Sequence, residues 1–120
     1  MNTKADPREI ATTLLGRSVC SVQVAAVLRD RWGVFAWGWN TMGPEGLGQH
    51  AEAHAIGRAN RSRLEGATMF VAASRKRNGR NVTAQPCSAC WRLTGAAGIR
   101  TVFFRNGEGK WQSLSISTPQ

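Results

Sequence analysis

Helical and strand-like segments alternate along the 120 residues, and this alternation restricts the fold more than any other feature of the sequence. The predicted order is helix, two strands, helix, strand, helix and two strands. Only the turn "NGEG", residues 106–109, separates the last two strands, and it is too short for the crossover that parallel strands need. We therefore predict one α/β domain over residues 1–120, with three layers (α/β/α) and a mixed five-stranded sheet whose last two strands form an antiparallel hairpin.

Capping residues and β-rich runs define the individual segments. Asp6 as N-cap and Pro7 at the first helical position predict a short helix that stops near Gly16. Two further helices are expected to begin at His50 and Pro86. Runs rich in β-branched and aromatic residues predict strands at residues 19–28, 34–40, 67–73, 100–105 and 110–117.

The hydrophobic residues make up 42% of the chain, enough for a core, but they are not collected into a membrane segment. No apolar run approaches the ~20 residues that span a bilayer. Residues 1–18 contain no apolar stretch typical of a secretion signal. We therefore expect a cytoplasmic protein that does not enter a membrane.

Three cysteines are present, and an odd number argues against a disulfide framework. Cys20 lies in an apolar run and is expected to be buried. Cys87 and Cys90 form a C-x-x-C motif at the start of a predicted helix, where positions i and i+3 lie on one face. Pro86 would place both in the first turn, whose dipole favours thiolates. Metal ligands, a redox pair and a chance spacing all fit this motif taken alone.

A second motif, "HAE", follows the Gly-rich stretch 41–49, which we expect to be a loop. Its His50, together with two thiolates, would give zinc three protein ligands and leave a fourth position for water, as in catalytic zinc sites. The metal would lower the pKa of that water towards 7, and Glu52 is a nearby carboxylate that could exchange protons with it. Residues i and i+2 of a helix point in different directions, so His50 and Glu52 can share one site only at the helix opening.

The two motifs together, "HAE" and "PCSAC", resemble the signature of the zinc-dependent cytidine deaminase superfamily. The resemblance implies a cytidine deaminase-like fold and hydrolytic removal of an amino group from cytosine or adenine. It also implies that His50, Cys87 and Cys90 bind one catalytic Zn²⁺. Glu52 would then carry protons from water to the ring nitrogen and to the leaving amine.

The same resemblance indicates residues that would contact the substrate. The stretch "GWN" is similar to a segment of adenosine and deoxycytidylate deaminases, so Asn40 is expected to contact the sugar or base; a turn residue at the end of a strand is the alternative. Ala51, between the histidine and Glu52, is expected to lie at the substrate as well. Trp39 and Trp91 are candidates for stacking on a base, although tryptophans more often pack in the core.

His54 lies four residues after His50 and shares its helix face. As a fourth ligand it would close the coordination sphere and exclude the water that a catalytic zinc needs. We therefore predict that His54 is a packed or supporting residue instead.

The charge is strongly asymmetric, with 16 Lys and Arg against 7 Asp and Glu and a net charge of +9. Between residues 53 and 105, Glu65 is the only acidic residue. Arg75 and Arg77 belong to the basic stretch 74–85, an expected loop before the zinc-binding helix, and we expect them to contact a phosphate backbone. A single-stranded nucleic acid is the expected partner, and a merely solvated basic surface is the alternative.

Three details bear on the substrate. Free-nucleoside cytidine deaminases typically have Cys in place of His50 and a second acidic residue near Asn40, which "GWNTMG" lacks. The short "NGEG" hairpin resembles nucleoside deaminases and bacterial toxin-type deaminases, since tRNA-acting and editing enzymes usually have a helix there. Gln85 matches neither the Glu of tRNA adenosine deaminases nor the Ser of editing cytosine deaminases.

We predict a cytosine deaminase acting on single-stranded DNA or RNA. The first alternative is a deaminase of free cytidine, deoxycytidine or their nucleotides, and a weaker one is an adenosine deaminase acting on RNA. A zinc-stabilised nucleic-acid-binding module without catalysis is the non-enzymatic alternative. Many members of the superfamily are oligomers, and the sequence leaves an oligomer open.

Overall fold

The computed structural model describes residues 5–43 and 48–116. Three helices and five strands follow one another in the predicted order: α1 (Pro7–Leu14), β1 (Val22–Asp30), β2 (Gly33–Trp39), α2 (Ala51–Arg58), β3 (Thr68–Arg75), α3 (Ser88–Ala96), β4 (Thr101–Arg105) and β5 (Trp111–Ser115). Short 3-10 turns at Leu15–Arg17 and Arg61–Arg63 follow α1 and α2. Part of the predicted Gly-rich loop, residues 44–47, lies outside the described residues.

The strands form a five-stranded mixed sheet in the order β2-β1-β3-β4-β5. β1 is antiparallel to both β2 and β3, β3 is parallel to β4, and β4 is antiparallel to β5. The parallel pair is connected through α3, as a crossover requires. The predicted mixed sheet and its terminal antiparallel hairpin are therefore confirmed.

Helices cover both faces of the sheet. α1 packs on one face, where Ala11 and Leu14 join a buried cluster with Val27 and Phe70. The second cluster, on the other face, includes Ala51 and Ala55 of α2 together with strand residues. The alternation of side chains along each strand separates these two cores. The predicted α/β/α layering is confirmed.

The start of α1 agrees with its sequence signals. Asp6 is the N-cap, and its Oδ1 accepts a hydrogen bond of 2.9 Å from the backbone N–H of Arg8, while Pro7 occupies the first helical position. The first strand, in contrast, begins three residues later than predicted. Val19 is 65% exposed and Cys20 is half-buried, so the prediction that Cys20 is buried was wrong.

Close packing fixes α2 against β2. At Gly38, a Cβ atom would lie 2.5 Å from the backbone nitrogen of Ala55, so only glycine allows this approach. Beyond the end of α2, Arg63 forms a bidentate pair with Asp30 at the end of β1, with both N–O distances at 2.7 Å. The first contact holds α2 against β2, and the second holds the turn after α2 against the end of β1. Among the described residues, no helix is both long and apolar enough to cross a membrane.

Candidate active site

Three residues with metal-binding side chains meet where two helices begin. His50 is the N-cap of α2, Cys87 is the N-cap of α3, and Cys90 lies in the first turn of α3. Their ligand atoms all lie within 4.8 Å of one another. The Nδ1 atom of His50 is 3.0 Å from the Sγ atom of Cys90 and 3.9 Å from that of Cys87. The three predicted ligands are therefore brought together.

Pro86 lies one residue before the N-cap of α3 rather than inside the helix as predicted. Cys87 and Cys90 consequently stand at the N-cap and at the third helical position. This arrangement still places both thiols on the same side of the helix start, because the two residues remain one turn apart.

The geometry of His50 explains how it can share a site with a residue two positions later. Its backbone is extended, with φ −72° and ψ 152°, so the chain turns into α2 only after this residue. Glu52, in the first helical turn, is then directed to the same place and is only 5% exposed. Burial raises the pKa of Glu52, against the opposing effects of a backbone hydrogen bond, the nearby His50 and the thiol of Cys90.

The two thiols have opposite environments. Backbone hydrogen bonds from Cys90 and Ala89 lower the pKa of the Cys87 thiol. Burial, the nearby carboxylate of Glu52 and the neighbouring thiol raise the pKa of Cys90. One imidazole and two thiols are a donor set that zinc prefers, and with three protein ligands a fourth position is left for water. The residues present therefore fit a zinc ion of the catalytic type.

A cavity of about 210 Å³ opens beside this cluster. Its wall combines residues from β1, the end of β2, the start of α2, β3 and the segment before α3: Val22, Val24, Asn40, His50, Ala51, Glu52, Ala73, Thr83, Ala84, Gln85 and Cys87. The cavity thus brings two of the proposed ligands, His50 and Cys87, and Glu52 to one space large enough for a small heterocycle.

Comparison with known proteins identifies the family. Residues 5–106 match the family model for the "Cytidine and deoxycytidylate deaminase zinc-binding region". The chain belongs to this family. It is therefore a zinc-binding deaminase domain, and the cluster of His50, Cys87 and Cys90 can hold the metal. A search of curated proteins gave no significant match.

Solved structures of deaminases share the fold of this domain. The cytidine deaminase from Burkholderia pseudomallei is 23% identical, with 91% of this chain and 89% of that chain covered and a TM-score of 0.70. The dCMP deaminase from cyanophage S-TIM5 is 22% identical over 83% and 79% of the two chains, with a TM-score of 0.64. The cytidine deaminase from Mycobacterium leprae is 18% identical over 88% of each chain, with a TM-score of 0.58.

In this deaminase domain, Asn40 lines the cavity but also holds its wall together. Its Oδ1 accepts hydrogen bonds from the Val24 N–H at 2.9 Å and the Ser18 hydroxyl at 2.6 Å. Its Nδ2 donates to the Val22 carbonyl at 2.8 Å. One Nδ2 hydrogen remains for another acceptor, because a primary amide has two donors. Asn40 thus both ends β2 and keeps a donor at the cavity.

Of the other residues predicted to contact the substrate, one lines the cavity and four lie outside its wall. Ala51 lines the cavity, whereas Trp39, Trp91, Arg75 and Arg77 are not among its lining residues. Trp39 packs against the core on the α1 side, and Trp91 packs against the core on the α2 side. The two arginines are exposed, Arg75 at the end of β3 and Arg77 in the loop that follows.

His54 connects α2 to the end of β2 in this domain. Its Nδ1 lies 3.1 Å from both the backbone nitrogen and the carbonyl oxygen of Trp39, and its ring meets the indole edge to face at 5.0 Å. It does not belong to the metal-binding cluster of the described residues. The geometry therefore agrees with the predicted supporting role.

Several cavity residues were not predicted from the sequence. Thr83 and Ala84 could have been suspected from their position just before the P-C-x-x-C motif. Val22, Val24 and Ala73 carry no local signal, since they reach the cavity only through strand pairing, in which Val24 lies opposite Ala73.

Proposed function

We propose that this domain is a zinc-dependent deaminase that converts cytosine to uracil in single-stranded DNA or RNA. One observation carries the choice of substrate: an exposed basic loop lies in the segment between two residues of the cavity wall. Ala73 and Thr83 both line the cavity, and the chain between them contains Arg75, Lys76, Arg77 and Arg80.

The basic loop, defined as residues 75–80 and beginning at the last residue of β3, is ordered by backbone hydrogen bonds. Arg75 donates its N–H to the carbonyl of Arg80 at 2.9 Å, and Gly79, with φ +71°, donates to the carbonyl of Arg75 at 2.8 Å. Lys76 donates to the carbonyl of Ser21 at 2.9 Å, which attaches the loop to the start of β1. All six residues are exposed. Four exposed cationic side chains thus lie between two residues of the cavity wall, and we propose that they contact the phosphates flanking a bound base.

The chemistry follows from the positions of the cavity residues. His50, Cys87 and Cys90 would hold zinc, which when bound supplies the Lewis acidity that makes water a nucleophile near neutral pH. Glu52 takes a proton from the attacking water and delivers it to N3 of cytosine. It then transfers the second proton to the amino group at C4, which leaves as ammonia. The low exposure of Glu52 keeps bulk water from competing for these protons.

Asn40 is proposed to position the substrate. Its side chain is fixed by three hydrogen bonds to β1 and Ser18, so the free Nδ2 hydrogen points from a rigid support. A rigid donor costs little conformational entropy when it binds a sugar hydroxyl or base carbonyl. Ala51 adds a small apolar wall between the ligand histidine and Glu52.

A second candidate is deamination of free cytidine, deoxycytidine or their nucleotides. Among the solved structures that share the fold, one is a cytidine deaminase and another a dCMP deaminase. In this case the arginines of the basic loop would bind a single phosphate or none. Adenosine deamination in RNA is the weaker alternative, because among the described residues no feature of the cavity selects a purine.

A panel of substrates separates these candidates. The purified protein is offered cytidine, deoxycytidine, their monophosphates, and single- and double-stranded oligonucleotides containing cytosine or adenosine. We expect uracil formation in single strands, with kcat/KM decreasing as salt rises. Conversion of the free compounds alone would refute the proposal, and activity on oligonucleotides that is independent of salt would refute the role of the basic loop.

A further inference from the structure

A second surface with arginine and tryptophan side chains lies along the edge strand β2. Trp37 and Trp39 are two residues apart, so both side chains leave the strand on the same side. They lie opposite Val27 and Ala25 of β1, which belong to the core on the α1 side. Trp37 is nevertheless 39% exposed, because β2 is the last strand of the sheet on this side.

Two arginines are positioned against these indole rings. The guanidinium of Arg58, at the end of α2, lies 5.8 Å from the ring centre of Trp37 and 5.6 Å from that of Trp39. The guanidinium of Arg17 lies 5.5 Å from the ring centre of Trp39. We call Arg17, Trp37, Trp39 and Arg58 the edge strip.

The positive charge of the edge strip is not neutralised by a partner. Both Arg17 and Arg58 are exposed. In the described part of the chain, the one ion pair joins Arg63 and Asp30. Cation–π contacts with the rings restrict the two guanidiniums but leave their hydrogen-bond donors free for an anion.

The edge strip and the cavity meet at the end of β2, with the two indoles on the α1 face of the sheet and the cavity on the α2 face. β2 ends at Trp39, and the next residue, Asn40, lines the cavity. Trp37 and Asn40 are three residues apart, which corresponds to about 10 Å along a strand. The sheet order also places the edge strip and the basic loop on opposite sides of β1, because Asn40 bonds to Val22 from one side and Arg75 pairs with Val22 from the other.

We propose that the edge strip binds nucleotides that flank the target base in a single strand of nucleic acid. This proposal rests on the proposed function and extends it to a path from the basic loop, across the cavity and around the edge strand β2, to the edge strip. Exposed indole surface stacks on bases of any sequence, and the guanidiniums bind phosphates or stack on bases themselves. A protein partner is less well matched, since its interface would need a contiguous apolar patch without this density of charge.

The test compares substrates of different length. Trp37→Ala and Arg58→Gln are each assayed on a single-stranded trinucleotide with a central cytosine and on a 15-mer with the same central sequence. We expect the ratio of kcat/KM for the 15-mer to that for the trinucleotide to fall roughly tenfold in each variant. The salt dependence of the 15-mer reaction should also decrease by about one counterion in Arg58→Gln.

Matched controls are available in the chain. Trp32→Ala removes a tryptophan that is 76% exposed in the turn between β1 and β2, away from the edge strip. Arg61→Gln removes an exposed arginine from the 3-10 turn just after α2. Both controls should retain the wild-type length ratio. Equal ratios in the strip variants and in the controls would overturn the proposal.

A binding measurement separates this proposal from the proposed function. Fluorescence anisotropy with a labelled 15-mer that lacks cytosine reports binding without chemistry. If the wild type deaminates no oligonucleotide but binds this probe, with a tenfold loss in Trp37→Ala and Arg58→Gln only, the proposed function is wrong and the edge strip is supported. If the strip variants bind the probe as tightly as the wild type does, or if no binding is seen, the edge strip is refuted.

Discussion

At the scale of single residues, Glu52 and the metal ligands have separable roles. Glu52→Gln keeps the size of the side chain but removes its ability to accept and return a proton. We expect deamination to fall about 10²- to 10⁴-fold while one zinc ion remains bound, because Glu52 is not a ligand. Activity is measured by ammonia release and zinc by elemental analysis. The control is Glu108→Gln, which changes an exposed residue in the terminal hairpin. A Glu52→Gln variant with wild-type activity would contradict the catalytic role and favour a zinc-stabilised binding module.

The ligand cysteines can be tested against the third cysteine of the chain. Cys90→Ser should lower the zinc content well below one ion per chain, since zinc prefers a thiolate to a serine hydroxyl. Cys20→Ser should keep its zinc, because Cys20 lies against the carbonyl of Asn40 and outside the cluster. Zinc lost equally from both variants would show that the assignment of ligands is wrong.

At the scale of elements, two glycines test how α2 is placed. Gly38→Ala would put a methyl group 2.5 Å from the backbone of Ala55, so α2 must move away from β2. We expect a loss of about 1–3 kcal/mol in the free energy of unfolding, together with lower activity, because α2 carries Glu52. Gly57→Ala, inside α2 with nothing within 4 Å of the new methyl group, should gain roughly 0.5–1 kcal/mol. Urea unfolding measures both, and an unchanged stability of Gly38→Ala would contradict this packing.

The element order and the metal-binding cluster could be predicted from sequence because their signals are local. Asp6 and Pro7 mark a helix start by chemistry within one turn. His50 and the P-C-x-x-C motif mark the starts of two other helices, and they contain the residues proposed to bind zinc. Strand pairing determines where β1 begins and brings Val22 and Ala73 to the cavity wall. The packing of Trp39 and Trp91 depends on which face of each element is buried. Such tertiary information is absent from a short stretch of sequence.

At the scale of the whole molecule, the start of β1 contributes to the cavity and its end contributes to stability. Its first residues form the wall of the cavity, whereas Asp30 at its last position is paired with Arg63 beyond α2. The ion pair therefore connects the turn after α2, the helix that carries Glu52, to the end of β1 that lies away from the cavity. Stability of this contact supports the active-site geometry without any contact to substrate.

The same ion pair predicts how stability depends on acid. The hydrogen bonds from Arg63 lower the pKa of Asp30 from 3.8 to about 2. The folded state therefore binds this proton less readily than the unfolded state does, so the stabilisation is fully present above about pH 4 and is lost as pH falls towards 2. Asp30→Asn should lower Tm at pH 7 by roughly 5 °C and flatten the decrease of Tm between pH 4 and pH 2. Thermal unfolding followed by circular dichroism provides the measurement. Glu108→Gln is the control. If Tm decreases between pH 4 and pH 2 as steeply in Asp30→Asn as in the wild type, this ion pair does not govern acid stability.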